Sequence, residues 1–206
     1  MSILIQPIVE GQGEVLATRD LITRIAATFW NSDIYVEVLR PILIHRTKIS
    51  IAPELENRIE LARQKVRTSD SKGGILVLFD SDDDCPATLA PELLKRAKVA
   101  SADLPIRVVM AHREYESWFL AATTSIHQLG NAPPHPNPES KRGAKEWLSQ
   151  LMTDNYEPTY YQTSFTAQFD LHAARAAAPS FDKLCRDLTG MLTELSNSPL
   201  PPSSSR

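Results

Sequence analysis

Acidic side chains gather where apolar runs end. The run Ile75-Leu76-Val77-Leu78-Phe79 stops on Asp80, with Asp82, Asp83 and Asp84 close behind in GGILVLFDSDDDCP. The run from Ile3 to Val9 stops on Glu10, with Glu14 one helical turn further on, and Ile106 to Ala111 leads into Glu114 and Glu116. Like charges so close together repel unless water screens them or a divalent cation sits among them. Hard carboxylate oxygens suit Mg²⁺ or Mn²⁺, and those ions suit phosphate chemistry. In Asp80-Ser81-Asp82 a turn, or the period of two of a continuing strand, brings both carboxylates to one side. Gly11 and Gly13 would let a backbone approach a phosphate, although any tight strand-to-helix turn also wants glycine.

Rival readings of these residues are weighed on the same line of sequence. A calcium loop starting at Asp80 needs Gly at its sixth position and Glu at its twelfth, where this chain has Cys85 and Pro91. An aspartyl-phosphate phosphatase generally carries its acidic motif on the first strand, and here that strand carries Glu10. The plainer alternative is a solvated loop with helix-capping carboxylates, and one of Asp83 and Asp84 is expected to cap the helix before Pro86. Glu116 is a candidate ligand or, equally, a half-buried acid paired with an arginine such as Arg113. His112 is expected to be a structural hydrogen-bonder. His45, Arg46 and Lys48 follow an apolar run and would either hold a phosphate backbone at the same edge or form a solvated rim. Lys183 and Arg186 read as surface charges flanking the Phe181 and Leu184 stripe. Cys85 reads as a small loop or buried residue, since an oxygen-rich site has no use for soft sulfur.

The elements that must position these side chains alternate. Ile3 to Val9 reads as a strand ended by Glu10-Gly11-Gln12-Gly13, followed by a helix to about Trp30 with Leu21, Ile25 and Phe29 at helical spacing. Ile34 to Leu39 and Ile42 to Ile44 read as extended segments kept apart by Pro41. Pro53 opens a helix with Leu55, Ile59, Ala62 and Val66 on one face. The strand ending at Asp80, a helix around Leu89 to Val99, the strand Ile106 to Ala111 and a helix over HREYESWFLAA complete the pattern. Alternating strands and helices predict an α/β fold with a largely parallel central sheet, whose ligands bind beyond the carboxyl ends of the strands. Residues 127–145, with four prolines in the six positions 133–138, read as a loop ordered with a partner. Two or three further helices, interrupted at Pro179, would cover one side.

At 206 residues, 42% hydrophobic and 23% charged, the chain has the length and composition of one globular domain, placed here at residues 1–195 with a disordered tail over 196–206. A net charge of -3 argues against a surface that grips nucleic acid unaided. Two cysteines, Cys85 and Cys185, make neither a disulfide framework nor a metal-ligand pattern. With no signal peptide and no apolar run of membrane-spanning length, a cytoplasmic protein outside the membrane is expected.

An apolar strand ending in VEG, in IVEGQGE, and a later one ending in D-x-D, in LFDSDDD, resemble the Toprim fold of topoisomerases, DnaG-type primases and OLD-family nucleases. HREYESWFLA resembles the aromatic-acidic motif of small bacterial Toprim-like proteins of unknown function, and with RPILIHRTK and PSFDKL the resemblance spans most of the chain. The resemblance implies Glu10 as general acid/base or metal ligand, and Asp80 and Asp82 as ligands of Mg²⁺ or Mn²⁺. Glu116 is an extra candidate ligand to which the family gives no settled role. The chain lacks the tyrosine-bearing domains of a topoisomerase and the zinc domain of a primase. The expected function is therefore metal-dependent phosphodiester cleavage in DNA or RNA, with an ABC-type ATPase as partner and a role in phage defence. The alternative is a non-catalytic module of the same fold that binds a partner protein.

Overall fold

Every residue of the central strand is buried, and that fixes the layers around it. The computed structural model describes residues 2–69, 71–140 and 142–198. Strand β1 (Ser2–Val9) is followed by helix α1 (Gln12–Phe29), β2 (Tyr35–Val38), β3 (Ile42–Leu43), the short α2 (Arg46–Ile49), α3 (Glu54–Arg67), β4 (Lys72–Asp80), α4 (Pro86–Ala100) and β5 (Ile106–Ala111). The five strands form one sheet in the order β2-β1-β4-β5, and β3 pairs with β1 beyond β2. All four pairings are parallel. Pro41 lies between β2 and β3, where the missing N–H prevents one continuous strand.

Alternate side chains of β4 serve opposite cores. Ile75, Val77 and Phe79 join Ile59, Leu93 and Met110 under α3 and α4. Leu76 and Leu78 join Leu21, Ile25, Phe165 and Leu188 on the other face. That second face is closed by α1 and by four C-terminal helices: α6 (Ala144–Leu151), α7 (Pro158–Gln168), α8 (Leu171–Ala177) and α9 (Pro179–Asn197). The fold is thus α/β, with a parallel sheet, helices on both faces and additional C-terminal helices. Gly13 is needed where α7 crosses the first turn of α1, because a Cβ there would run into the Gln162 amide and Pro158. Among the described residues no helix is long and apolar enough to cross a membrane.

Three segments differ from the sequence expectation. HREYESWFLAA is helical only at α5 (Ser117–Leu120). Arg113 takes a left-handed φ of 65°, and the Tyr115 amide donates to Asp80 Oδ1 at 2.8 Å, so this stretch is tied to β4 before a helix can start. Residues 127–143 are ordered within the chain as far as they are described: two turns of 3₁₀ helix, His127–Leu129 and Pro138–Ser140, anchor through buried Leu129 and Glu139. Helix α9 runs to Asn197, past the expected boundary at residue 195, and residues 199–206 lie outside the described residues.

Candidate functional site

The carboxyl ends of β1 and β4 are adjacent, so the two acidic motifs meet. Val9 is in register with Leu78, which puts Glu10 beside the end of β4. Asp80 closes β4 and is 8% exposed. The loops after β4 and β5 are laced together: Asp82 N donates to Arg113 O at 3.0 Å and Arg113 N to Ser81 Oγ at 2.7 Å. Asp82 and Arg113 are the two non-glycine residues with positive φ, at 48° and 65°, among the described residues. Backbone strain of this kind collects at functional sites, where the surrounding structure holds it.

The acids form two neighbouring groups. Glu10, Glu14 and Asp82 make one. Burial, then Asp82 and Glu14, push the Glu10 carboxyl up to about 7, against the Asp80 backbone and Arg46. Its Oε2 is buried with no hydrogen-bond partner. Asp80, Glu114 and Glu116 make the other, around the ammonium of Lys145. Lys145 Nζ is 3.9 Å from Asp80 Oδ2, 3.7 Å from Glu114 Oε2 and 3.6 Å from Glu116 Oε2. Burial, then Glu116, raise Asp80 well above the carboxylate range despite Lys145. Glu116 is raised to about 7 by burial, with Lys145 opposing, and its Oε1 accepts from Tyr156 OH at 3.1 Å. Burial works against the Lys145 ammonium, but Glu116, Asp80 and Glu114 outweigh it and hold its pKa above the ordinary range.

Glu116 therefore does not pair with Arg113; it faces Lys145 and Tyr156. Glu114 has a positioning task, since its Oε1 accepts from the Gly143 and Ala144 amides at 3.1 and 3.2 Å and so caps the start of α6, one residue before Lys145. Neither Asp83 nor Asp84 caps α4. Cys85, exposed and not in a disulfide, holds that position, because both aspartates turn outward to arginines. Asp83 pairs with Arg142 and, at 3.6 Å, with Arg113. Asp84 pairs with Arg46, whose Nε lies 3.6 Å from Asp82 Oδ2 and whose guanidinium rests over the Phe79 ring. Arg46 thus borders the acids, while Lys48 is exposed on the same short helix. His112 stands outside the acid groups: its amide donates to Ser180 Oγ at 3.1 Å and its Nδ1 is 3.7 Å from Glu139 Oε2.

Sequence reading missed Lys145, Arg142 and the basic role of Arg113. The first two sit in SKRGAK, after the proline-rich stretch, and only the packing of α6 brings them to the strand ends. Among the described residues no three His, Cys, Asp or Glu side chains are gathered tightly enough to hold an ion as they stand. Lys145 explains part of that, being the cation its three acids already surround.

Burial raises the carboxyls of Glu10, Asp80 and Glu116, whereas two acids paired with arginine elsewhere shift the other way. Asp103, at the opposite edge of the sheet, is held below the usual carboxylate range by its bond to Arg63, and Asp182 is lowered by Arg175 and Arg186. Structural ion pairs stabilise the charged form; Glu10, Asp80 and Glu116 are held in the opposite condition, a pattern common in functional clusters.

The family model for a domain of unknown function, DUF4276, matches residues 9–189. The chain belongs to that family. No curated protein and no solved structure matches it.

Proposed function

We propose that this protein is a Toprim-type, Mg²⁺- or Mn²⁺-dependent phosphodiesterase acting on DNA or RNA, working with an ABC-type ATPase, in the setting of phage defence that the resemblance implies. The observation that carries the reading is the orphaned, buried Glu10 oxygen beside Asp80 and Asp82 at adjacent parallel strand ends. An acid raised to about 7 by burial and by other acids is one that a divalent cation would return to its charged form. The donors are all hard oxygens, so the residues fit Mg²⁺ or Mn²⁺ held by Glu10, Asp80 and Asp82, with Glu116 as a further donor once it leaves Lys145. Such an ion lowers the pKa of water and offsets charge on a phosphate.

The chain's own residues supply the rest. Arg46, Arg113 and Arg142 surround the acidic loop and are the groups that would take a phosphodiester backbone from Asp83 and Asp84. Lys145 adds a fixed positive charge beside Asp80, and Tyr156 fixes the Glu116 carboxyl. The second reading, a non-catalytic binding module, is favoured by one observation: Lys145 already compensates Asp80, Glu114 and Glu116 without any metal.

The test is cleavage of supercoiled DNA, single-stranded DNA and RNA with Mg²⁺ or Mn²⁺, with and without a co-purifying ATPase. Glu10→Ala and Asp82→Ala should each remove most activity, since losing a well-placed base alone costs ~10²–10⁴-fold, and His112→Ala should cost little. Equal cleavage by wild type and Glu10→Ala would place the activity elsewhere. No cleavage by wild type under any condition gives the binding-module reading the lead.

A further inference from the structure

We infer that Tyr160 and Tyr161 form a stacking platform for the bases of a single strand of nucleic acid that passes the acidic edge. The inference rests on the phosphodiesterase reading for its substrate class and narrows that class to unpaired strands. Three tyrosine rings lead outward from the acids. Tyr156 is buried and donates to Glu116 Oε1. Tyr161 is half-buried and stacks on Tyr156, with ring centroids 6.1 Å apart and planes 26° from parallel. Tyr160 lies a further 6.1 Å out from Tyr161 and is 82% exposed. Both outer rings stand on α7, whose first turns also reach the other acid group. A Cβ on Gly13, three residues after Glu10, would meet Pro158 and Gln162 of that helix. The platform thus flanks Glu116 through Tyr156 and Glu10 through the start of α1.

The surroundings select among ligands. Among the described helices of eight or more residues, α7 alone carries no charged side chain, so it offers nothing to an ionic group. A protein partner fits poorly. The large apolar side chains exposed among the described residues are dispersed, and no helix or strand presents two of them. A stable protein interface covers about 800 Å² on each partner. A nucleobase needs only one ring face, and any base qualifies because each has a π face. Charge for the backbone comes from elsewhere at this edge, from Arg46, Arg113 and Arg142 around the acidic loop. Basic groups along a backbone together with aromatic faces for its bases are the combination that holds single strands. A duplex keeps its bases stacked within itself and presents none to the rings.

The experiment uses the full chain in EDTA, where neither metal nor cleavage enters. Labelled decamers are titrated at low salt by fluorescence anisotropy: single-stranded DNA, the same sequence as RNA, its DNA duplex, and an abasic DNA strand that keeps every phosphate and lacks the bases. The tighter of the DNA and RNA single strands, which names the source of the strand, should bind at least about fivefold better than the abasic one. Tyr160→Ala, at a position too exposed to hold the fold, should remove that difference. It should weaken the base-containing strand by about 5–100-fold, the range for one lost base–aromatic stack, and leave the abasic strand and the duplex unchanged. Tyr160→Phe keeps the ring and should bind as wild type does. In the cleavage assay Tyr160→Ala should raise KM for single strands at unchanged kcat. Tyr160-dependent binding in EDTA with no cleavage in Mg²⁺ or Mn²⁺ would end the phosphodiesterase reading and leave the platform standing. Equal affinity for base-containing and abasic strands, or unchanged affinity in Tyr160→Ala, overturns the platform alone. So does a co-purifying protein that Tyr160→Ala loses while strand binding stays intact.

Discussion

Glu10, Asp80 and Glu116 are all held more readily protonated in the fold than in the unfolded chain, chiefly by burial. For such groups the folded state binds the extra proton, so stability rises as pH falls through the folded pKa and levels off near the unfolded value. With Glu10 and Glu116 at about 7 against 4.5, the window is roughly pH 7 down to 4.5. The metal-free protein should therefore melt at a higher temperature at pH 5.5 than at pH 8, and Glu10→Gln should flatten the slope. A higher melting temperature at pH 8 would show that burial does not dominate these carboxyls. Lys145 makes the complementary case. Removing one partner of a buried ion pair costs about 3–5 kcal/mol, and because the Lys145 side chain is 39% exposed, water discounts that. Lys145→Ala should destabilise by roughly 1–2 kcal/mol in EDTA, with Mg²⁺ recovering more of the loss than it adds to wild type. Equal Mg²⁺ effects on both proteins would separate Lys145 from the cation site.

The elements were legible where periodicity and strand ends carried the signal. Strand β4, α1, α3 and the break at Pro41 follow from apolar spacing and from proline chemistry. The stretch after β5 was not legible, because its shape is set by long-range bonds that the Arg113 and Tyr115 amides donate to the Ser81 hydroxyl oxygen and the Asp80 carboxylate. Nor was the order of residues 127–143, where a proline-rich composition masks the anchors Leu129 and Glu139. The arginine rim escaped for the same reason: Arg113 and Arg142 become neighbours of Asp83 only through the two loops. Arg113 is held left-handed at a cost of about 1 kcal/mol that glycine would not bear. Arg113→Gly should thus be neutral or slightly stabilising in urea unfolding while weakening DNA binding several-fold. Marked destabilisation would mean that the Asp83 pair outweighs the strain.

Across the whole molecule a net charge of -3 meets a local rim of three arginines. If Arg46, Arg113 and Arg142 each take one phosphate, log K for duplex DNA should fall with log salt at a slope of about -2.7. A fluorescence-anisotropy salt series reads this, and Arg142→Ala should reduce the slope by about one. A slope near zero would take the phosphate backbone off this edge. So shallow a slope also means weak unaided binding at physiological salt, which is why an ATPase partner belongs in the proposal.

Ser180 ties distant parts of the chain to one hydroxyl: it receives the Trp118 indole N–H at 2.9 Å and the His112 amide, and it donates to Glu139. Trp118 is fully buried, while Trp30 and Trp147 are only partly so. Its indole is therefore shielded from solvent, with its N–H held by one hydroxyl oxygen. An event at the strand ends that shifts that oxygen should change the colour and yield of the Trp118 emission, above the background of Trp30 and Trp147. The protein carries its own optical probe, built into the core behind the site and requiring no label.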